Sequence, residues 1–515
     1  MDGQGRSERR PGGIASRRAF LRGAATAGVG AALVTLWEPA NLGRVRSAQA
    51  AMALDGAARR SRSHNAWIAE GGDGGRNQTA DDRAQMAHLL RRAGFSATPA
   101  EVDALLPLGI AGAVDFLLNY DQVADPALDY ANGVGLDLSK TTDAIRWWLL
   151  RMIYTTRPLQ EKLTLFWHGI LTSAVSKVGQ RYLNTLLAQN EFLRANATST
   201  YDVLLKGISR DPAMMVWLDL QTSTKAHPNE NFARELQELF SLGIGNYSED
   251  DVREAARALT GYQLDKDRNF VYNAKQHDDG AKTYLGQTGN WGGDDIIDII
   301  LQQRAAAEYI VKRLWSFFAY PNPEAEVIAA LADTFQSSSY SIKAVLRQLF
   351  TTPQFYSDTA MGALIKSPTE FVVGAVRSLG LQTDASTFPQ QMALMNQLLF
   401  DPPNVAGWPG GAAWLSSSTF FARMNFLNGL IYAKAGGPTS QPDATQLLGD
   451  YAGLSPDDAI GTAAATLLST QLGGSSQQVI TQFLSDTNGG TAQVTDKNVK
   501  SFLYLVLATP EGQLV

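Results

Sequence analysis

The chain has no cysteine, so neither a disulfide framework, a thiolate metal site nor a cysteine nucleophile is open to it. Any metal would have to be held by His, Asp, Glu, Asn or backbone oxygens, and histidine is scarce, at five among 515 residues. Alternating apolar and polar strand patterns are few and no G-x-S-x-G occurs, which leaves a serine-triad hydrolase without its nucleophile motif or its strand-turn-helix setting. Surplus positive charge is lacking too. The first fifty residues carry eight Arg and three acids, so their removal from 44 basic and 50 acidic residues leaves a net charge of about −11. That balance opposes nucleic acid or anionic lipid as the main partner.

What the chain does have is apolar content: 45% of its residues are hydrophobic and 9% aromatic, enough for a large core, and the length allows two to four domains. At the N-terminus, Arg17 and Arg18 stand directly before Ala19-Phe20-Leu21, a small, mildly apolar stretch follows to Trp37, and Ala48-Gln49-Ala50 has the small-x-small form of a cleavage site. Paired arginines of this kind match a twin-arginine export signal over residues 1–50, cleaved after Ala50. The apolar stretch is shorter than the ~20 residues that span a bilayer, and no other long apolar run follows, so no stable membrane span is expected after signal removal. The expected location is periplasmic or extracellular. Residues 51–80, which include the basic "ARRSRSHNAW" around His64, read as a flexible linker.

From Asp81 onward, apolar residues recur at spacings of three and four. "DDRAQMAHLLRRAGF" is helical up to Gly94, and "TTDAIRWWLLRMIYTT" and "RPLQEKLTLFWHGILTSAV" are successive helices turning at Arg157-Pro158. Later segments repeat the pattern, several opening on Ser, Thr or Pro with acids in the first turn. The expected fold is mainly α, a multi-helix, bundle-like main domain over 81–433 followed by a small C-terminal helical unit over 434–515. The exception is the glycine-rich region 263–294, a long loop in which "DRNFVYNAKQ" is the best candidate for a short hairpin.

Chemistry concentrates in "HPNENFARELQELFSLG". A helix over 232–242 would bury Phe232, Leu236, Leu239 and Phe240, flanked by Asn231, Arg234, Glu235 and Glu238. Glu235 and Glu238 are three apart and can face one point, while Arg234 and Glu238 can equally pair on the surface. The plainer alternative is a solvated helix face capped by Asn229 or Asn231. His168 lies among Phe166, Trp167, Ile170 and Leu171, a setting in which histidine is more often a hydrogen-bonded core residue than a ligand. His277 opens "HDDGAKTYLGQTGNWGG", an acid-rich turn beside glycines.

Several of these passages, in order, resemble a bacterial family. "LLRRAGF", "DPAMMVWLD", "HPNENFARELQELFSLGIGNYSEDDVREAARALTGY", "HDDGAKTYLG", "KSPTEFVVGAVRSLG" and "PPNVAGWPGGAAWLSSSTFFARMNF" are similar to domain-of-unknown-function family 1800 (DUF1800), closely over about 81–433. The resemblance implies an exported protein whose gene neighbours often encode a second exported protein of the phosphatase/sulfatase-like group. It supplies no reaction. Its pattern includes the equivalents of His168, Asn229, Glu230, Asn231, Arg234, Glu235, Glu238, His277, Asp278 and Lys282, and the Asn404, Gly407, Trp408 and Trp414 region. Members often read Trp-His-x-His where this chain has Ile170, so a second imidazole is missing there.

Two readings follow. In the first, His168, Glu235, Glu238 and His277 are catalytic, with Asn229, Glu230, Asn231, Arg234, Asp278 and Lys282 as a supporting polar pocket. His168, Glu235 and His277 would hold one divalent metal, Zn²⁺ or Fe²⁺, for hydrolytic or oxidative chemistry on an envelope or extracellular substrate; without a metal they would act as an acid and base pair. In the second, the protein is a non-catalytic scaffold for the second exported protein or for an envelope polymer, with Asn404, Trp408 and Trp414 as a binding loop offering aromatic faces.

Overall fold

The computed structural model describes residues 78–432 and 439–515. The export signal at Arg17, Arg18 and Ala50, the linker up to residue 77, and the expected domain boundary after Ala433 lie outside the described residues. The architecture is mainly α-helical, with two small two-stranded sheets.

Helix α1 (Gln78–Ala93) ends where Gly94 was expected to stop it. Helix α2 (Thr141–Tyr154) and helix α3 (Pro158–Ile170) turn at Arg157-Pro158, with proline in the first turn of α3, where its missing N–H costs nothing. From Glu161 to His168 every residue of α3 is buried. Leu163, Phe166 and Trp167 belong to one apolar core, built largely from residues 86–363, while Leu165 reaches a second, built from α2 and residues beyond 371. A helix wrapped this way must satisfy its polar groups internally. Glu161 accepts from Trp148 Nε1 at 2.9 Å and from Arg194 Nε at 2.6 Å, and Lys162 forms a buried ion pair with Glu370.

The glycine-rich region follows helix α4 (Glu230–Glu238) and helix α5 (Glu249–Ala258). Strands β1 (Tyr262–Leu264) and β2 (Phe270–Tyr272) pair antiparallel, forming the expected hairpin. A second hairpin, β3 (Lys282–Tyr284) with β4 (Gln287–Gly289), replaces what reads in sequence as loop. Its two-residue turn puts Leu285 at φ 45° and Gly286 at φ 79°. Two left-handed residues are what such a turn requires, but the usual first residue is Asn or Asp; leucine there hides the signal. Helix α6 (Gly293–Gln302) closes the region.

Helix α7 (Pro368–Ser378) carries Glu370 and opens on a capping box with Ser367. The C-terminal helical unit packs through the second core: helix α8 (Ser417–Tyr432), helix α9 (Pro456–Leu467) and helix α10 (Val499–Ala508) share it with α2 and α7. The last residues lie beside the segment leading into α7, with Lys366 N–H donating to Gln513 O at 2.9 Å and Val515 N–H to Leu364 O at 2.9 Å. Among the described residues no helix is long and apolar enough to cross a membrane.

The buried Lys162–Glu370 pair ties α3 to α7, and removing one partner strands the other charge. Glu370→Gln, which keeps the cap acceptor, is expected to lower the unfolding free energy by about 3–5 kcal/mol. The Lys162→Met/Glu370→Gln double variant should recover only part of that loss, because Arg92, Lys366 and Arg423 also feel the Glu370 charge; urea denaturation of the three proteins checks it.

Candidate functional site

The polar residues of α4 and its approach are mostly committed to one another. Asn229 is the N-cap, its Oδ1 accepting from Asn231 N–H at 2.9 Å and its Nδ2 donating to Asp219 O at 3.1 Å. Asn231 Nδ2 reaches Asp219 Oδ2 at 3.5 Å, and Lys177 Nζ donates to the same carboxylate at 2.8 Å. Asp219 itself has φ 60°, so these contacts brace a left-handed turn. Arg234 clamps Glu249 with two 2.8 Å bonds and touches Glu230 at 3.5 Å, while Glu238 accepts from Tyr247 Oη at 2.9 Å. Glu235 is half-buried, and burial together with the neighbouring Glu238 charge raises its pKa.

His168 is closed off. Its Nε2 accepts from Phe400 N–H at 3.2 Å, and its ring is packed by Trp148, Phe400 and Trp408 at centroid distances of 5.2, 5.7 and 5.6 Å. Phe400 has φ 63°, so the histidine holds the N–H of another left-handed turn. Burial pushes the imidazole down to about 4, keeping it neutral. In the Asn404–Trp414 loop Asn404 is exposed, while Gly407 and Trp414 are packed inward. Gly407, at φ 80°, approaches so closely that a Cβ there would lie 2.4 Å from Gly169 O. Thr172 Oγ1 donates to Val405 O at 2.7 Å, Trp408 covers His168, and Trp414 is buried with Ile365 and Leu514.

Among the described residues no group of three or more His, Cys, Asp or Glu is placed to hold a metal ion, so His168, Glu235 and His277 do not converge as a ligand set. The residue that does face a cleft is His277. An open cleft of about 340 Å³ is bordered by Tyr262, Phe270, Tyr272, His277, Arg210 and Asp294, together with the Gly292–Gly293 backbone that begins α6. That volume is within the range of small-molecule sites. Phe270 and Tyr262 meet edge to face at 5.1 Å, and Tyr272, half exposed, lies 5.6 Å from the His277 ring.

The turn after β2 is built to hold that imidazole. Its Nδ1 lies 2.9 Å from Thr260 O. A carbonyl only accepts, so Nδ1 carries a hydrogen. Nε2 has no hydrogen-bond partner among the described residues. Thr260 Oγ1 also accepts from Asp278 N–H at 2.8 Å, and Asp278 is clamped by Arg257 at 2.7 and 3.2 Å. Lys282 is buried beneath the turn, donating to Asp278 O at 2.5 Å and Gly280 O at 3.0 Å; burial lowers its pKa. Asp278 and Lys282 therefore position His277 through the backbone.

Across the cleft, Arg210 Nη2 donates to both Asp294 oxygens at 2.6 Å, and Asp295 caps Gly292 N–H at 2.8 Å. A Cβ at Gly293 would lie 2.6 Å from Tyr262 Oη, so only glycine admits the ring there. Of the residues singled out from sequence, the cleft contains His277, braced by Asp278 and Lys282. Arg210, Tyr262, Phe270, Tyr272 and Asp294 were missed. Arg210 and Asp294 are 84 positions apart, and nothing local in either segment announces the pairing.

A family model described as "Protein of unknown function (DUF1800)" matches residues 88–514, and the chain belongs to that family. The match takes in the C-terminal helices as well as the stretch that carries the motifs. No curated protein and no solved structure matches the chain.

Two buried imidazoles make stability acid-sensitive. His168 falls to about 4 by burial, and His88 to about 2 by burial and the adjacent Arg92 and Arg91 charges. Both folded values lie below the unfolded value, so their contribution is complete above pH ~6.5 and drains away as pH falls toward the folded values. For His168 the loss between pH ~6.5 and ~4 is on the order of 3 kcal/mol. His168→Gln, which keeps an acceptor for Phe400 N–H without titrating, should flatten the fall of unfolding free energy over that interval, as read from urea midpoints.

Proposed function

We propose that the protein is an exported member of its family that binds a hydroxyl-bearing ligand in the Tyr262–Tyr272–His277 cleft and hydrolyses it by acid–base chemistry. The observation that supports this most directly is the 2.9 Å contact of His277 Nδ1 with Thr260 O beside the cleft, which leaves Nε2 as the ring nitrogen available to a ligand or water. The aromatic walls suit stacking of a flat apolar face such as that of a sugar ring, and the Arg210–Asp294 pair offers donors and acceptors at its edge. Asp294 and Asp295 are engaged with Arg210 and Gly292, which leaves His277 as the base and Tyr272 as the exposed rim. Export rests on Arg17-Arg18 and the Ala50 site, and pairing with a phosphatase/sulfatase-like exported protein rests on the family resemblance alone.

Turnover of p-nitrophenyl esters and glycosides by the purified protein tests the reading. His277→Gln is expected to lower kcat/KM by about a hundredfold or more, and Tyr272→Ala to raise KM with little change in kcat, both at unchanged Tm. Equal activity in wild type and His277→Gln, or no turnover and no binding by wild type, would overturn it.

A further inference from the structure

A second concentration of unbalanced chemistry lies where α1, α7 and the C-terminal residues meet. Arg92 on α1, Lys162 on α3, Lys366 before α7 and Arg423 on α8 share the field of a single carboxylate, Glu370, and Arg91 on α1 acts on Arg92 and Lys366. Arg92, Lys162 and Arg423 are essentially inaccessible, and Arg91 is 8% exposed. Lys162 takes Glu370 as its partner. The other four reach only uncharged oxygens: Arg91 donates to Ser469 O, Arg92 to Ala319 O and Ala360 O, Lys366 to Gly512 O at 3.1 Å, and Arg423 to Lys366 O at 2.6 Å and Gln513 Oε1 at 3.3 Å. Arg92 Nε and Nη1 and Arg423 Nε are buried with no hydrogen-bond partner among the described residues.

Three buried guanidinium groups and a partly buried ammonium without an ion-pair partner are costly, and guanidinium groups do not relieve the cost by giving up a proton at neutral pH. The neighbouring groups register that field. Burial and the Arg91, Arg423 and Lys162 charges bring Lys366 down to about 7 against the pull of Glu370, and the Arg92 and Arg91 charges add to the burial that depresses His88. At the edge of the cluster a cavity of about 20 Å³ is bordered by two of these cations, Arg91 and Lys366, with Phe371 and Leu507 among its apolar walls. It has room for a water-sized particle, and so for a small anion. Water brings no charge; a halide does.

We propose that one chloride ion binds in this cavity between the Arg91 guanidinium and the Lys366 ammonium, and that it fastens the C-terminal segment to α1 and α7. The same two side chains grip that segment directly, Arg91 at Ser469 O and Lys366 at Gly512 O, so an ion between them holds their heads where those bonds need them. Specific binding to the folded state raises stability with ligand concentration.

The test follows thermal unfolding of the folded protein in sodium gluconate and sodium chloride mixtures at constant ionic strength. Tm should climb saturably by a few degrees with chloride and equally with bromide, whereas gluconate is too large to enter. Crystals grown in bromide should show one anomalous peak between Arg91 and Lys366, and Lys366→Met should abolish the saturable climb. Should that variant not fold, the bromide peak in the wild-type protein decides alone. Equal Tm in gluconate and chloride, no peak at that position, or a chloride response retained by Lys366→Met would each overturn the proposal.

Discussion

A helix buried on every side cannot carry a charge unless its partner is built in beside it, and α3 is such a helix. It stands between the two apolar cores, and each of its charges recruits an element to it: Glu161 brings Arg194 and Trp148, and Lys162 brings Glu370 on α7. His168, on its last turn, fastens the left-handed turn at Phe400 and lies beneath Trp408. The buried network thus fixes how α2, α7 and the Trp408 loop stand around α3.

The same requirement sorts the polar residues of this chain into two kinds. Most are consumed in bracing the backbone: Asn229 and Asn231 at the Asp219 turn, Arg234 on Glu249, Asp278 on Arg257, and Lys282 under the 278–280 carbonyls. Groups left with capacity to spare are few. His277, with no described partner for Nε2, borders an open aromatic cleft, and the cations around Lys366 outnumber the one carboxylate among them, which Lys162 takes. Reserve of this kind, rather than polarity as such, marks a place where a ligand lowers the free energy.

Much of the helical layout was legible because the cues were local. Gly94 ends α1, Pro158 opens α3, and the stripe of Phe232, Leu236 and Phe240 buries α4 as its spacing requires. The first hairpin was visible in its aromatic, alternating residues; the second was masked by leucine in the left-handed position of its turn. The site was less legible. The apolar setting of His168 and the glycine-rich turn of His277 already set the two apart, but only packing shows that one accepts from the Phe400 N–H inside an aromatic box while the other borders a cleft. Trp408 and Trp414 can be read from sequence either as aromatic faces or as a tight turn plugging the core, and the close approach of Gly407 to Gly169 with the burial of Trp414 favours the second. Arg210 and Asp294 carry no motif, and their meeting depends on where α6 begins relative to β1.

The account turns on which nitrogen of His277 bears the hydrogen. Long-range proton–nitrogen correlation on histidine-labelled protein reads this directly. Nδ1 should appear as the protonated nitrogen of His277, with an Nε2 resonance that moves when a cleft ligand is added. A His277 ring protonated at Nε2, or an Nε2 signal indifferent to every cleft ligand, would contradict the account.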